Sequence, residues 1–355
     1  MFRNLKAFFI RRLALSMASS TPDALKVMIV CRRSFFALRT NRIALAILAA
    51  QATTSGYVLA EDDWVNVYGK VWLTLDKVSE DNGDDQWELN SNASRLGFKG
   101  KGAAGDLEAF YQIEWEVDFT DSSSSSDDHI KARNQFVGLR GGFGEILAGR
   151  NDTPMKNAGK RVDIFNDSPF DIKSVFNGEN RASGVIQYST PSMNGFKAQV
   201  AIVPGEETGG EDGIADGIST SFDFKTGDFQ FTLAIDDGLD SPVVETTRFT
   251  ASYKADGLQV GVVFQDTDNN GVSGDGLVAS ASYKIDNHTL KLQLVDSDIW
   301  ETGVSSRVKY ESQTIVGWDY KYASNTTFTT YFGTSDEGAT DDTDTVFGVG
   351  VIQKF

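Results

Sequence analysis

The sequence predicts an all-β fold, a 16-stranded antiparallel transmembrane β-barrel. Three observations carry that prediction. The first is the segment Leu107–Phe119. Leu107, Ala109, Tyr111, Ile113, Trp115, Val117 and Phe119 alternate with Glu108, Phe110, Gln112, Glu114, Glu116 and Asp118. Successive side chains of a strand point to opposite faces, so this strand has an apolar face and an acidic, wet one. It is long for a soluble strand but suits a tilted membrane crossing of about 9–11 residues. Lipid outside and water inside would produce this pattern.

The second observation is composition. Hydrophobic residues make up 40% of the chain, with 34 Gly and only 6 Pro. No apolar run in the body is long enough for a membrane helix, whereas half-apolar strands joined by tight turns fit these proportions. The third is repetition. From Trp64 onward, alternating segments fall at 65–76, 92–101, 106–119, 129–140, 144–150, 182–190, 195–203, 217–226, 228–236, 245–254, 258–266, 276–284, 288–296, 311–322, 325–335 and 344–355. Short connectors such as Gly102–Gly105, Gly141–Phe143 and Ile285–Asn287 alternate with long polar ones such as Val78–Asn90, Asp121–Asp128, Pro204–Asp216 and Ser297–Tyr310. Sixteen is even, and short turns opposite long loops are the barrel rule. One connector, Asn151 to about Arg181, is far longer than its neighbours, which marks it as functional. The Ser122–Ser126 run and the acidic loops read as solvated loop tips.

The first 60 residues differ from the rest. They hold nine basic residues and one acid, Asp23, and Arg39 and Arg42 precede the apolar stretch Ile43–Ala50. Val58-Leu59-Ala60 then offers a small-residue cleavage site before Glu61. This is the pattern of a secretory signal peptide over residues 1–60, with residues 61–355 forming the barrel. Met28 is an alternative start, in which case residues 1–27 precede the true beginning. Removing the leader takes 33 basic residues to 24 and 50 acidic ones to 49, a net charge of about −25. Such a chain repels nucleic acid. The lone cysteine, Cys31, leaves with the leader, so no disulfide is expected.

Several segments, taken in order, resemble the Gram-negative general-diffusion porins. They are Val67-Tyr68-Gly69-Lys70, Ser94-Arg95-Leu96-Gly97-Phe98-Lys99-Gly100, Glu114-Trp115-Glu116 and Arg133-Asn134-Gln135-Phe136-Val137-Gly138-Leu139. Phe143-Gly144-Glu145, Gly149-Arg150, the stretch RASGVIQYSTPSMNGF from Arg181, and the terminal Val349–Phe355 follow. The matches span most of 64–203 and the last strand, while 204–340 agrees in pattern alone. The resemblance implies a water-filled channel for passive diffusion of small hydrophilic solutes and ions, with the long third external loop folded inward. It implies a homotrimer in outer-membrane lipid and lipopolysaccharide, inserted by the barrel-assembly machinery through a signal at Phe355. The sequence departs from the family at Gln353, where an aromatic is usual. No cofactor is implied.

The resemblance also implies a constriction. Its basic wall would be Arg95, Arg133 and Arg181, with Arg150 nearby. Alternation agrees for two of these: Arg95 opposes outward Leu96 and Phe98, and Arg181 shares a face with Ser183 and Gln187. The opposing acids would be Asp163, Asp167 and Asp171 from the loop, with Glu179 a weaker candidate and Glu116 on the wall. The family's loop-tip motif has no clear counterpart; Ser168-Pro169-Phe170-Asp171 stands nearby. The acidic loops and the arginines pull selectivity in opposite directions, and the expectation is a weak cation preference. Trp318, Tyr320, Tyr322 and Phe355 would belong to interfacial girdles, while Tyr68 and Trp72 follow the lumen parity.

Other signals carry less. Asp266–Gly271 resembles the start of an EF-hand loop, but the twelfth position is Leu277 and no helices flank it, so a turn is expected and no metal. The only histidines, His129 and His288, sit at strand starts near no nucleophile motif, so no enzyme is expected. Three rival readings share part of the pattern. A substrate-selective channel would show saturable uptake. A secreted soluble β-rich protein would hide its apolar face between two sheets. A barrel enzyme would need an activated Ser or a titrating His.

Overall fold

The computed structural model describes residues 63–355 apart from 82, 84, 121–128, 206–212 and 341. The leader at 1–60 and the Ser122–Ser126 run lie outside the described residues. The strands are β1 (Asp63–Ser79), β2 (Gln86–Ser91), β3 (Arg95–Ala104), β4 (Leu107–Val117), β5 (Ile130–Gly141) and β6 (Gly144–Asp152). They continue with β7 (Arg181–Ser189), β8 (Phe196–Val203), β9 (Gly217–Thr226), β10 (Phe229–Asp237), β11 (Val244–Ala255) and β12 (Leu258–Asn269). The last five are β13 (Val272–Ile285), β14 (His288–Ser297), β15 (Tyr310–Lys321), β16 (Thr326–Glu337) and β17 (Thr343–Lys354). A one-and-a-half-turn helix, α1 (Pro154–Gly159), opens the long connector between β6 and β7.

Every pairing is antiparallel, and β17 returns to β1 from Lys70↔Lys354 to Ser79↔Thr345. The sheet is therefore closed. β2 and β3 together form a single stave of the wall: β2 pairs with the outer half of β1 and β3 with its first half. The stave breaks at Ala93, which adopts φ 46°, and at Ser94, whose Oγ accepts from Trp72 N at 2.9 Å. Counting β2 and β3 as one gives the sixteen expected staves. The stretch 267–275, expected as a connector, is strand up to a two-residue turn at Asn270-Gly271, with φ 54° and 90°. Both φ values are those of a hairpin turn that Asn-Gly favours, so the turn expected here is tight, and the polar strand ends had hidden the full length of the two strands.

Alternation sorts the wall into two faces. On β12, β14 and β15 the side chains Gln265, Gln293 and Gln313 are buried. Their neighbours on the other face, Val262, Leu292, Leu294, Val316 and Trp318, are exposed. A fold that encloses glutamines and bares leucines is inverted relative to a water-soluble one. Exposing that much apolar surface to water is untenable at about 25 cal/mol per Å², but it is favourable in lipid. Among the described residues no helix is long and apolar enough to cross a membrane. Tyr68 and Trp72 lie on the enclosed face, and Tyr322 and Phe355 are exposed.

The seam depends on one small residue. Gly69 N donates to Phe355 O at 2.9 Å and Phe355 N donates to Gly69 O at 3.2 Å. A Cβ on Gly69 would stand 2.2 Å from the Phe355 ring. We expect Gly69→Val to destabilise the closed barrel by about 1–3 kcal/mol through overpacking at the seam. The check is a lower urea midpoint in detergent than that of Gly97→Ala, where the Cβ would meet a side chain, Tyr68, away from the seam.

Candidate functional site

The connector between β6 and β7 is held to the wall by an apolar core. Val162, Ile172, Val175 and Phe176 pack with Val263, Val278, Val295, Ile299 and Val308. Phe165 and Phe170 pack with Ile315, Tyr331 and Val346. The strand residues among them lie on the enclosed face, and Ile299 and Val308 belong to the connector between β14 and β15. That face includes glycine hollows: a Cβ on Gly276 would stand 2.3 Å from Phe176, and one on Gly333 2.7 Å from Phe170. Sequence reading missed these hollows, because an inward glycine looks like a weak strand position until its partner is known.

The acid at the bend of this connector crosses to the other wall. Asp167 adopts φ 66° and its Oδ2 accepts from Lys70 Nζ at 3.0 Å and from the Arg95 guanidinium. Arg133 Nη2 stands 4.0 Å from Asp167 Oδ1. Behind them, Glu114 gathers the wall. It accepts from Arg133 Nε at 2.7 Å and Tyr68 Oη at 3.0 Å, with Arg95 Nη1 at 3.9 Å. Glu116 accepts from Arg133 Nη1 at 2.5 Å. A register shift between Ile113 and Trp115 turns Arg133 into this group, and that shift defeats simple alternation at that point.

Arg181 and Arg150 stand apart from Asp167. Arg181 Nε donates to Asn134 Oδ1 at 2.6 Å and lies 2.9 Å from Asp152 Oδ1 as an ion pair. Arg150 donates to Ser183 Oγ. Asp152 also receives Lys160 Nζ at 3.1 Å and has Lys156 Nζ at 3.9 Å, both from α1 or its cap. Two basic groups thus share the enclosed face, one anchored on Glu114 and one on Asp152. Lys70, Glu114, Asp152 and Lys160 are not among the constriction residues expected from the sequence. Glu114 was legible there as a member of the wet face.

The three expected loop acids have three different surroundings. Only Asp167 meets the wall cations. Asp171 serves the loop itself: its carboxylate accepts from Lys173 N and Asp167 N, each at 3.0 Å, and from Asn166 Nδ2 at 3.3 Å. Asp163 is buried, accepts from Asn166 Nδ2 at 3.1 Å, and has no donor to Oδ1. Burial raises the Asp167 carboxyl, but Lys70, Arg95 and Arg133 outweigh it and hold the pKa below the usual value. Burial pushes Asp163 well above the carboxylate range, and Asp171 and Glu179 add to the rise. Burial likewise raises Glu179 against the pull of Arg248 and Lys156.

The remaining sequence signals resolve simply. Asp268, in the EF-hand-like stretch, accepts from Gly271 N at 3.0 Å and Ser273 Oγ at 2.8 Å within its hairpin. His288 is exposed at the outer face and accepts from Trp318 Nε1 at 3.1 Å; His129 is half-buried.

A closed antiparallel wall with an apolar exterior, a polar interior and charged groups facing across the interior defines a transmembrane β-barrel channel. Comparison with known proteins narrows that class. Residues 44–355 match the family model described as Gram-negative porin. The chain is 26% identical over 294 residues to the major outer membrane protein P.IB of Neisseria meningitidis serogroup B, spanning 74% of this chain and 83% of that one. It is 32% identical over 176 residues to outer membrane porin protein 32 of Delftia acidovorans, across 45% and 48% of the two chains. Among solved structures, an anion-selective porin from Comamonas acidovorans superposes with a TM-score of 0.64 at 19% identity, over 83% of this chain and all of that one. OmpF of Salmonella typhi, in complex with daunomycin, gives 0.67 at 17% identity, over 82% and 98%. The chain belongs to the Gram-negative porin family, and it is an outer-membrane channel for diffusion. The members it matches are channels rather than enzymes.

The raised Asp163 carboxyl carries a pH prediction. A docked loop whose carboxyl is raised binds its proton more tightly than an undocked one. The Asp163 contribution to docking is therefore fully present at and below the ordinary carboxylate range and is lost as pH rises through the raised value. Trypsin should nick the 152–180 segment faster as pH rises, after correction for the enzyme's own pH profile, and Asp163→Asn should flatten that dependence.

Proposed function

We propose that the 152–180 loop narrows the lumen and that Asp167, facing Lys70, Arg95 and Arg133, sets a transverse field at the narrowest level. The observation that carries this reading is the Asp167 carboxylate on a loop whose apolar residues pack against β12–β17 while its acid pairs with β1 and β3. Opposite charges across a narrow, partly desolvated gap order water and orient dipolar solutes. Small polar solutes keep favourable interactions on passing, whereas apolar ones must displace ordered water. Neither step needs a catalyst or an energy source.

The same geometry favours anions at this level. Asp163 and Asp171 are turned into the loop, so they do not offset Arg150, Arg181, Lys156 and Lys160. This supports a basic excess at the gap, against the weak cation preference expected from the net acidity of the outer loops. The acidic outer loops act farther away and are screened beyond about 8 Å at physiological ionic strength.

The wider assignment follows the family. The leader over residues 1–60 is removed before Glu61, and the barrel assembles as a homotrimer in lipopolysaccharide-bearing outer-membrane lipid. A solved relative, OmpT of Vibrio cholerae, carries the description "trimer form". Phe355 serves the assembly machinery as well as packing on Gly69.

Reversal potentials in planar bilayers under a salt gradient test the reading. We expect an anion-favouring sign for the parent. Asp167→Asn should strengthen it and Arg150→Gln should weaken it. Unit charges about 4 Å from a passing ion act by about 1 kcal/mol in water-like surroundings, so each change should be a few-fold in permeability ratio. Identical potentials for all three proteins would sink the reading.

A further inference from the structure

One side chain on the opposite wall is as deeply engaged with the loop as Asp167 is, and nothing in the sequence marks it. Arg248, on β11, is fully buried. It projects among small polar neighbours, Thr246 and Thr250, into the base of the loop. Its Nε donates to Gln265 Oε1 at 2.8 Å, a wall-to-wall bond that fixes the guanidinium plane. Its other donors all go to the loop. Nη1 donates to Met155 O at 3.2 Å and to Glu179 Oε1 at 2.5 Å, and Nη2 donates to Asn177 O at 3.0 Å. Met155 belongs to the outgoing limb of the loop; Asn177 and Glu179 belong to the returning limb. One planar fork therefore ties both limbs to a single point on the wall. Five fixed donors suit this task and the single ammonium of a lysine does not.

The loop is shaped to receive it. A Cβ on Gly159 would stand 2.9 Å from Nη1, so the outgoing limb comes close only because that position is glycine. Asp240, in the connector after β10, adds a second latch on the returning limb. It accepts from Asn177 Nδ2 and Asn180 Nδ2, each at 2.9 Å, and from Gly178 N at 3.2 Å.

We infer that Arg248 is the positioning residue of the constriction, the clamp that fixes how far the loop, and with it Asp167, reaches across the lumen. This inference rests on the constriction reading above. Arg248 does not line the path of the ion; it acts through the loop. The loop is tied at opposite walls by ion pairs of the same polarity, a wall cation to a loop acid: Arg248 to Glu179 at the base, and Lys70 with Arg95 to Asp167 at the far end. Releasing the base removes the polar tie between the two limbs and leaves the loop to its apolar packing and the half-buried Asp167 pairs. The loop then samples several heights, and the aperture fluctuates.

The test is single-channel recording of the outer-membrane-purified protein in planar bilayers. The variants are Arg248→Lys, the double variant Arg248→Met with Glu179→Gln, and Asp167→Asn. The double variant removes both buried charges together, so neither is stranded in the interior. Retained heat-modifiable gel mobility shows that each barrel is closed. The clamp predicts that the double variant raises low-frequency open-channel noise several-fold and closes at a markedly lower voltage. Arg248→Lys should fall between it and the parent, and all should keep the parent's sign of reversal potential. A side chain with only a structural role would lower the unfolding midpoint and leave noise and closing voltage at the parent's values; that result overturns the clamp. If Asp167→Asn alters the reversal potential while the folded double variant records like the parent, the clamp fails and the constriction stands. If Asp167→Asn also records like the parent, the constriction reading fails with it. If neither Arg248 variant forms a closed barrel, Arg248 is required for the barrel itself and the clamp is overturned in favour of that role.

Discussion

Everything in this molecule follows from closing the β1–β17 seam. In lipid an unpaired backbone N–H or C=O costs several kcal/mol, so a spanning sheet cannot keep an edge. Closure forces one face of every strand outward to lipid and the other inward to water. The period-two alternation in the sequence is the direct record of that division. Closure also creates an interior too wide for strand side chains to fill. That leaves room for a long connector to pack against the inner wall, on valines, phenylalanines and glycine hollows. The apolar core of this protein lies between its loop and half of its wall.

Charge placement then acquires a function that composition alone could not give it. Acids outnumber bases heavily along the chain, yet basic side chains outnumber acids around Asp167 and Asp152, the level at which we propose the lumen narrows. The difference arises because two of the three loop acids are spent inside the loop: Asp171 caps a short turn and Asp163 is buried beside it. Glu114 and Asp152 neutralise part of the arginine charge and fix its direction. A buried ion pair of this kind is weak evidence for stability, because desolvation offsets its attraction. Its value here lies in holding guanidinium groups at fixed places beside the water path.

The sequence disclosed the fold well and the site in part. Alternation gave the sixteen staves and the facing of Arg95 and Tyr68, because a half-buried strand writes its environment residue by residue. It cut short the two strands that meet at the Asn270-Gly271 turn, because both are polar beyond the apolar band and the pattern fades there. It could not give the facing of Arg133, which a register shift decides. Nor could it separate Asp167 from Asp163 and Asp171, since a loop has no period and its contacts are all long-range. Arg248 stayed hidden for a related reason. It sits at an ordinary lumen position on an ordinary strand, and its loop partners lie about 70–90 residues away in sequence.

The central claim is that the 152–180 loop, and no other element, sets the narrowest passage. Polymer-exclusion sizing in planar bilayers tests it most directly, comparing the parent with a variant in which residues 156–176 are replaced by a short Gly-Ser linker. The account predicts a larger conductance and a higher polymer cut-off for the shortened loop. An unchanged cut-off in a closed barrel would contradict it.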